Sequence, residues 1–209
     1  RPGKYGGSFE NRTRLYLNCF RAAKDVKSSQ TILGARIGLS DMVTKPDGFG
    51  TDEQGNLDLT EPLALVDMLS QEGLELLNVT LGNPYHNPHV NRPFASGGYP
   101  VEEHPLEGVA RMLHGIATLK KEVPDMKLIC SAVSFLGVAA PNVVAGFMEK
   151  SGFDLAGFGR TIFAYPDFAN EIMKNGGLLA VGTVEELDEK VGTDRFETAF
   201  ISIVKGETA

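Results

Sequence analysis

Arg36 lies inside an otherwise apolar stretch, "TILGARIGLS" (31–40). A guanidinium in such a setting must find a partner or leave the core at its end. At the C-terminal end of a strand it would point into an active-site mouth, where it suits a carboxylate, a phosphate or an electron-rich ring. A structural salt bridge is the competing use. "GFGR" (157–160) is a second candidate. Gly159 lets the backbone approach an anion closely, and Arg160 offers a forked donor set matched to phosphate oxygens. A strand-end turn with a surface arginine is the alternative there. His86 and His89 in "YHNPH" are three residues apart and invite a metal reading. The flanking prolines instead make a rigid loop, and neither a carboxylate nor a cysteine stands beside them as a third ligand, which argues against metal. The loop 83–104 carries many donors, Asn83, Tyr85, His89, Asn91 and Arg92 among them. Its length suits a lid or a substrate loop.

The elements that must position these groups alternate. Ser8 is placed to cap a helix with Glu10 in its first turn. Leu15, Tyr16, Cys19, Phe20, Ala23 and Val26 recur along it at helical spacing and predict one apolar face. Residues 31–40 read as a buried parallel strand. Thr60 and Pro62 open a helix that Gly73 closes. Strand 74–82 follows, then the long loop, then a helix from Pro105 to Glu122 with Val109, Met112, Leu113, Ile116 and Leu119 on one side. Strand 126–134, helix "PNVVAGFMEKSG", strand 153–160 and helix "YPDFANEIMKNGG" complete the series. Strict alternation with helical crossovers predicts an α/β fold with parallel strands. Four strands would make half of a (β/α)8 TIM barrel, which takes about 250 residues. A small doubly wound sheet is the other arrangement, but no GxGxxG follows any strand. Barrels of this type often bind phosphate on the loops after strands seven and eight, here 130–134 and 157–160.

Bulk properties exclude some classes. The chain has 209 residues, a net charge of −7 and a pI near 5.1, which argues against binding a nucleic-acid backbone. Cys19 and Cys130 are far apart and form no CxxC pair. They are read as two buried thiols of a cytoplasmic protein, with neither a disulfide nor an iron–sulfur centre. No apolar run reaches the length of a membrane span. The expected partner is a small molecule.

Taken together, the motifs resemble the NADH:flavin oxidoreductases of the Old Yellow Enzyme class, in their enoate and 2,4-dienoyl-CoA reductase branch. "YGGSFENR" resembles the family's signature after the fourth barrel strand, and "ARIGLS" its fifth-strand motif. "NPHVNRPF", "EHPLEGVARM" and "GFGRTIFAYPDFA" resemble later segments, in order, and the match runs from Tyr5 to Gly176. The resemblance implies the C-terminal half of an FMN-binding barrel over residues 1–176. The first four strands, with the histidine pair that holds the substrate oxygen and the tyrosine proton donor, are expected upstream of this chain.

The resemblance also implies roles for individual residues. Arg36 falls where the family sets an arginine against the flavin N1/O2 edge, where its charge would stabilise the reduced, anionic ring. Gly159 and Arg160 fall on the phosphate-binding turn. Ser131 and Ala132 occupy the preceding phosphate loop, where the family usually has glycines; alanine keeps the backbone N–H but lacks glycine's easy access to positive φ. Tyr85, His89 and Arg92 would border the substrate or nicotinamide. NAD(P)H is the expected co-substrate and an activated alkene, such as an enoate or an enoyl or dienoyl thioester, the acceptor. A homo-oligomer or a complementary N-terminal half would complete the barrel. A binder of phosphorylated metabolites using only the 157–160 turn is a further reading. Residues 177–209 depart from the family, whose cysteine cluster for an iron–sulfur centre they lack. They faintly resemble the tail of an ABC-transporter ATPase subunit, without a Walker motif, and "TVEELDEKVG" reads as a capped helix.

Overall fold

The computed structural model describes residues 3–95, 97–150, 152–159, 161 and 165–175. The expectations for Arg160 and for the tail 177–209 lie outside the described residues. The helices are α1 (Phe9–Val26), α2 (Thr60–Gln71), α3 (Pro88–Asn91), α4 (Pro105–Glu122), α5 (Ala140–Glu149) and α6 (Phe168–Asn175). The strands are β1 (Gly34–Gly38), β2 (Leu76–Thr80), β3 (Lys127–Cys130) and β4 (Leu155–Ala156). Short 3-10 turns at Gly3–Tyr5 and Val133–Ala139, and the four-residue α3, are additions to the predicted series.

Local chemistry accounts for most boundaries. The Ser8 hydroxyl accepts from Asn11 N (3.4 Å) at the start of α1. Pro105 begins α4, where the His104 ring accepts from Leu106 N. Gly73, at φ 95, ends α2 in a conformation that other residues resist.

The apolar face of α1 keeps Tyr16 and Phe20 of the predicted one but not Leu15, Cys19, Ala23 and Val26. Thr13, Leu17 and Phe20 are buried, whereas Leu15 and Val26 are 55% and 84% exposed. Cys19 is exposed as well, so of the two cysteines only Cys130 is a buried thiol. The rotation of the helix is set by its anchors. Tyr16 Oη donates to Arg36 O (2.8 Å), and Arg12 and Arg21 pair with Glu61 and Glu72 at the two ends of α2. The side that faces α2 and β1 then carries Thr13, Tyr16, Leu17 and Phe20.

The four strands are parallel and lie in chain order, β1-β2-β3-β4. Every crossover steps the same way, and parallel crossovers are right-handed, so α2, α4 and α5 belong on one face. That face carries Ile37, Leu77, Val79, Leu128 and Cys130, all buried, packed with Leu65, Val66, Leu69, Met112, Ile116 and Leu119. The opposite row, Arg36–Asn78–Ile129–Leu155 in register, stays half-buried or exposed. Parallel sheets usually have both faces covered.

At the N-terminal end of the sheet Asp154 clamps three elements. Its Oδ2 accepts from Lys120 Nζ of α4 (2.8 Å) and Leu128 N of β3 (3.0 Å), and its Oδ1 from Lys127 Nζ (3.1 Å). Burial pushes the carboxyl pKa up, but these donors overcome it and hold it at about 2. No helix among the described residues is long and apolar enough to cross a membrane.

Candidate functional site

The C-terminal ends of the strands border a cleft of about 760 Å³ whose lining includes Arg36, Asn78, Arg92, Ser131, Ala132 and Gly159. Arg36 sits mid-strand on the open face, and the two-residue repeat puts Gly34 and Gly38 on either side of it. A Cβ at Gly38 would meet nothing within 4 Å, which leaves the space beside the guanidinium clear.

Asn78 lies opposite Arg36 on the neighbouring strand. Its Nδ2 donates to Ser131 Oγ (2.9 Å), and the Ser131 hydroxyl returns a bond to Asn78 Oδ1 (3.1 Å). A polar row therefore crosses the open face from β1 to the end of β3. Asn78 was not singled out from the sequence. The signal was there in "LLNVT", where Asn78 and Thr80 alternate with the buried Leu77 and Val79.

The turn after β3 departs from expectation. Ala132 adopts φ 68, ψ 21, a left-handed conformation that residues with a Cβ resist. Holding a non-glycine residue there costs about 1 kcal/mol. Ser131 and Ala132 thus present the turn geometry that a glycine loop would. Cys130, immediately before them, is fully buried, and burial raises its thiol pKa to about 12, so it supplies no thiolate. Gly157 lies close against the turn after β3, where a Cβ would come 3.0 Å from Ser131 Oγ. At Gly159 a Cβ would meet none of the described residues within 4 Å, and the backbone is not in the positive-φ region.

Hydrogen bonds tie the first part of the loop 83–104 to the sheet and to the segment after β1. Gly82, at φ 80, lets α3 settle on the end of β2: a Cβ there would come 2.8 Å from Val90. Asn91 Nδ2 donates to Leu81 O (3.0 Å), and Arg92 N to Pro88 O (2.8 Å). Asn87 Nδ2 bonds Asp41 O (2.9 Å) and ties the loop to the segment after β1. Arg92 is brought to the cleft by these contacts. Tyr85 and His89 are not among its lining residues. Tyr85 is 96% exposed, and the His89 ring turns to Tyr99, Nδ1 to Oη 2.9 Å, with Glu103 4.0 Å from Nε2.

The arginines sort by partner. Among the described residues Arg12, Arg21 and Arg111 bind carboxylates and Arg14 binds Asn11 Oδ1. Arg36 and Arg92 have no ion pair or hydrogen bond to their guanidiniums within the described residues, and both line the one cleft. The salt-bridge use of Arg36 therefore finds no partner there. The arrangement offers two guanidiniums without a partner among the described residues, a left-handed turn and a polar row, a donor set suited to an anionic or electron-rich ligand. No protein-family model matches the chain.

Proposed function

We propose that this chain is the C-terminal half of an FMN-binding (β/α)8 barrel of the Old Yellow Enzyme type, belonging to an NAD(P)H-dependent reductase of activated alkenes. The observation that carries the reading is the pair of guanidiniums, without a partner among the described residues, on a cleft that also holds the Ser131–Ala132 turn and Gly159. Strand order supports the barrel: a doubly wound sheet reverses its order at a switch point, and the described sheet does not. FMN, when bound, would relay hydride from NAD(P)H to the alkene. Arg36 would hold the electron-rich edge of its ring, and the backbone at Ser131, Ala132 and Gly159 its phosphate. Two free cysteines suit a reducing, cytoplasmic setting.

Titration of the full chain with FMN tests the reading. The protein should take up the flavin and turn yellow, and Arg36→Gln should weaken binding about tenfold. Protein that stays colourless and takes up no FMN would count against it. Binding of sugar phosphates without FMN would favour the phosphorylated-metabolite reading.

The open face favours a second reading, a half-barrel completed by another chain. Ile129 is half-buried and Leu155 is 47% exposed in a row that no described helix covers. Light scattering on a size-exclusion column should then give a dimer. A monodisperse monomer would refute self-pairing.

A further inference from the structure

We propose that a second cleft, at the opposite end of the sheet from the Arg36 cleft, binds an amphipathic phosphate monoester, an apolar body carrying one phosphate. The proposal does not rest on the flavin reading. The cleft has a volume of about 830 Å³ and is lined from the last turns of α4 and α5 and from the N-terminal ends of β3 and β4. Sites for small organic molecules commonly span about 300–1,000 Å³. The ammoniums of Lys120, Lys121, Lys127 and Lys150 line it, and among the described residues Asp154 is the single carboxylate that does. The chain as a whole carries a net charge of −7, so this cleft departs from it in sign.

The four cations are not spent alike. Asp154 accepts from Lys120 and Lys127, and Lys120 also donates to Met126 O (2.7 Å). Lys121 and Lys150 make no ion pair or hydrogen bond through their side chains to the described residues. They stand on two walls of the cleft, Lys121 in the last turn of α4 and Lys150 directly after α5. A cation at a helix C-terminus answers the carbonyls there. That use does not account for the apolar side chains gathered beside them. Met148 and Leu155, 38% and 47% exposed, share the cleft with the buried Phe153. Exposed apolar surface among charges of one sign suits a ligand with an apolar body and an oppositely charged head. The head follows from the type of cation. An ammonium is a compact point charge without the fork that selects a planar carboxylate, and a phosphate monoester brings about 1.5–2 negative charges at pH 7.

The test is calorimetric titration of the full chain with 1-naphthyl phosphate, 1-naphthol and inorganic phosphate. Wild type should bind 1-naphthyl phosphate about tenfold or more tighter than either fragment. The double variant Lys121→Gln/Lys150→Gln should weaken that binding about tenfold, and Lys121→Arg/Lys150→Arg, which keeps both charges, should retain it. Met148→Gln should weaken 1-naphthyl phosphate and leave inorganic phosphate unchanged. Arg36→Gln and Arg92→Gln should leave all three titrations unchanged. No binding of 1-naphthyl phosphate by wild type, or equal affinity in wild type and the glutamine pair, would overturn the proposal and leave the lysines to the helix ends. Affinity lost in Arg36→Gln but kept in the glutamine pair would overturn it too, since the ligand would then sit in the other cleft. Inorganic phosphate binding as tightly as 1-naphthyl phosphate would remove the apolar body from the site and with it the proposal. The flavin reading is decided by FMN and Arg36→Gln, this site by 1-naphthyl phosphate and the lysine pair, so either can fail alone.

Discussion

Ala132 and Gly159 make opposite demands on their backbones, and each yields a prediction. Ala132 sits at φ 68, so relieving it should help and crowding it should harm. Ala132→Gly should match or exceed wild type by up to about 1 kcal/mol in urea unfolding, and Ala132→Val should lose about 2 kcal/mol, because a β-branched residue strongly resists positive φ. Identical unfolding curves for the two variants would contradict the left-handed turn. Gly159 has no such constraint, and a Cβ there would meet none of the described residues within 4 Å. Gly159→Ala should leave stability within about 0.5 kcal/mol of wild type. If that turn holds a phosphate, the same change should weaken FMN binding about tenfold, and unchanged affinity would remove the turn from the site.

At the scale of elements, the contact that decides the cleft is α3 against the end of β2. Gly82 combines φ 80 with a Cβ position 2.8 Å from Val90 and 2.9 Å from Asn91 N, a backbone atom that cannot rotate aside. Gly82→Ala should therefore cost about 2–3 kcal/mol and shift α3, and Arg92 with it. Urea unfolding checks this, and a Gly82→Ala protein as stable as wild type would show that the approach of α3 to β2 is not tight. The rotation of α1 illustrates why such contacts are hard to read in advance. Its apolar residues admit two faces, one through Leu15, Cys19 and Val26, the other through Leu17 and Phe20. The ion pairs to Glu61 and Glu72 and the Tyr16–Arg36 bond select the second. Those partners are about fifty and twenty residues away in sequence.

For the whole molecule, acid stability should follow Asp154. Its carboxyl stands at about 2 against an ordinary 3.8, so the folded state favours the ionised form. That contribution is complete above about pH 4 and is lost as pH falls from about 4 to about 2. Asp58, held at about 2 by Thr60 and Lys45, adds to the same window. Asp154→Asn leaves the buried Lys120 ammonium without its counter-charge and should cost about 3 kcal/mol at pH 7. Its melting temperature should fall less steeply than that of wild type between pH 4 and pH 2.5, and parallel slopes would exclude Asp154 as the group. The parallel α/β order, the caps and the bounds of α2 and α4 were legible in the sequence. They follow from local rules, the 3.6- and 2-residue repeats and the turn preferences of Gly, Pro and Ser, which act within a few residues. Arg36 was legible too, as a charge in an apolar run. Whether it had a partner was not, and neither was its company with Asn78 and Arg92, since both depend on strands and loops that pair across forty to sixty residues. The chain alone therefore determined which elements form and which residue types they carry; the tertiary structure decided which of the described arginines meet a carboxylate and which face the cleft, because charge pairing is a property of distance in space and not of spacing in sequence.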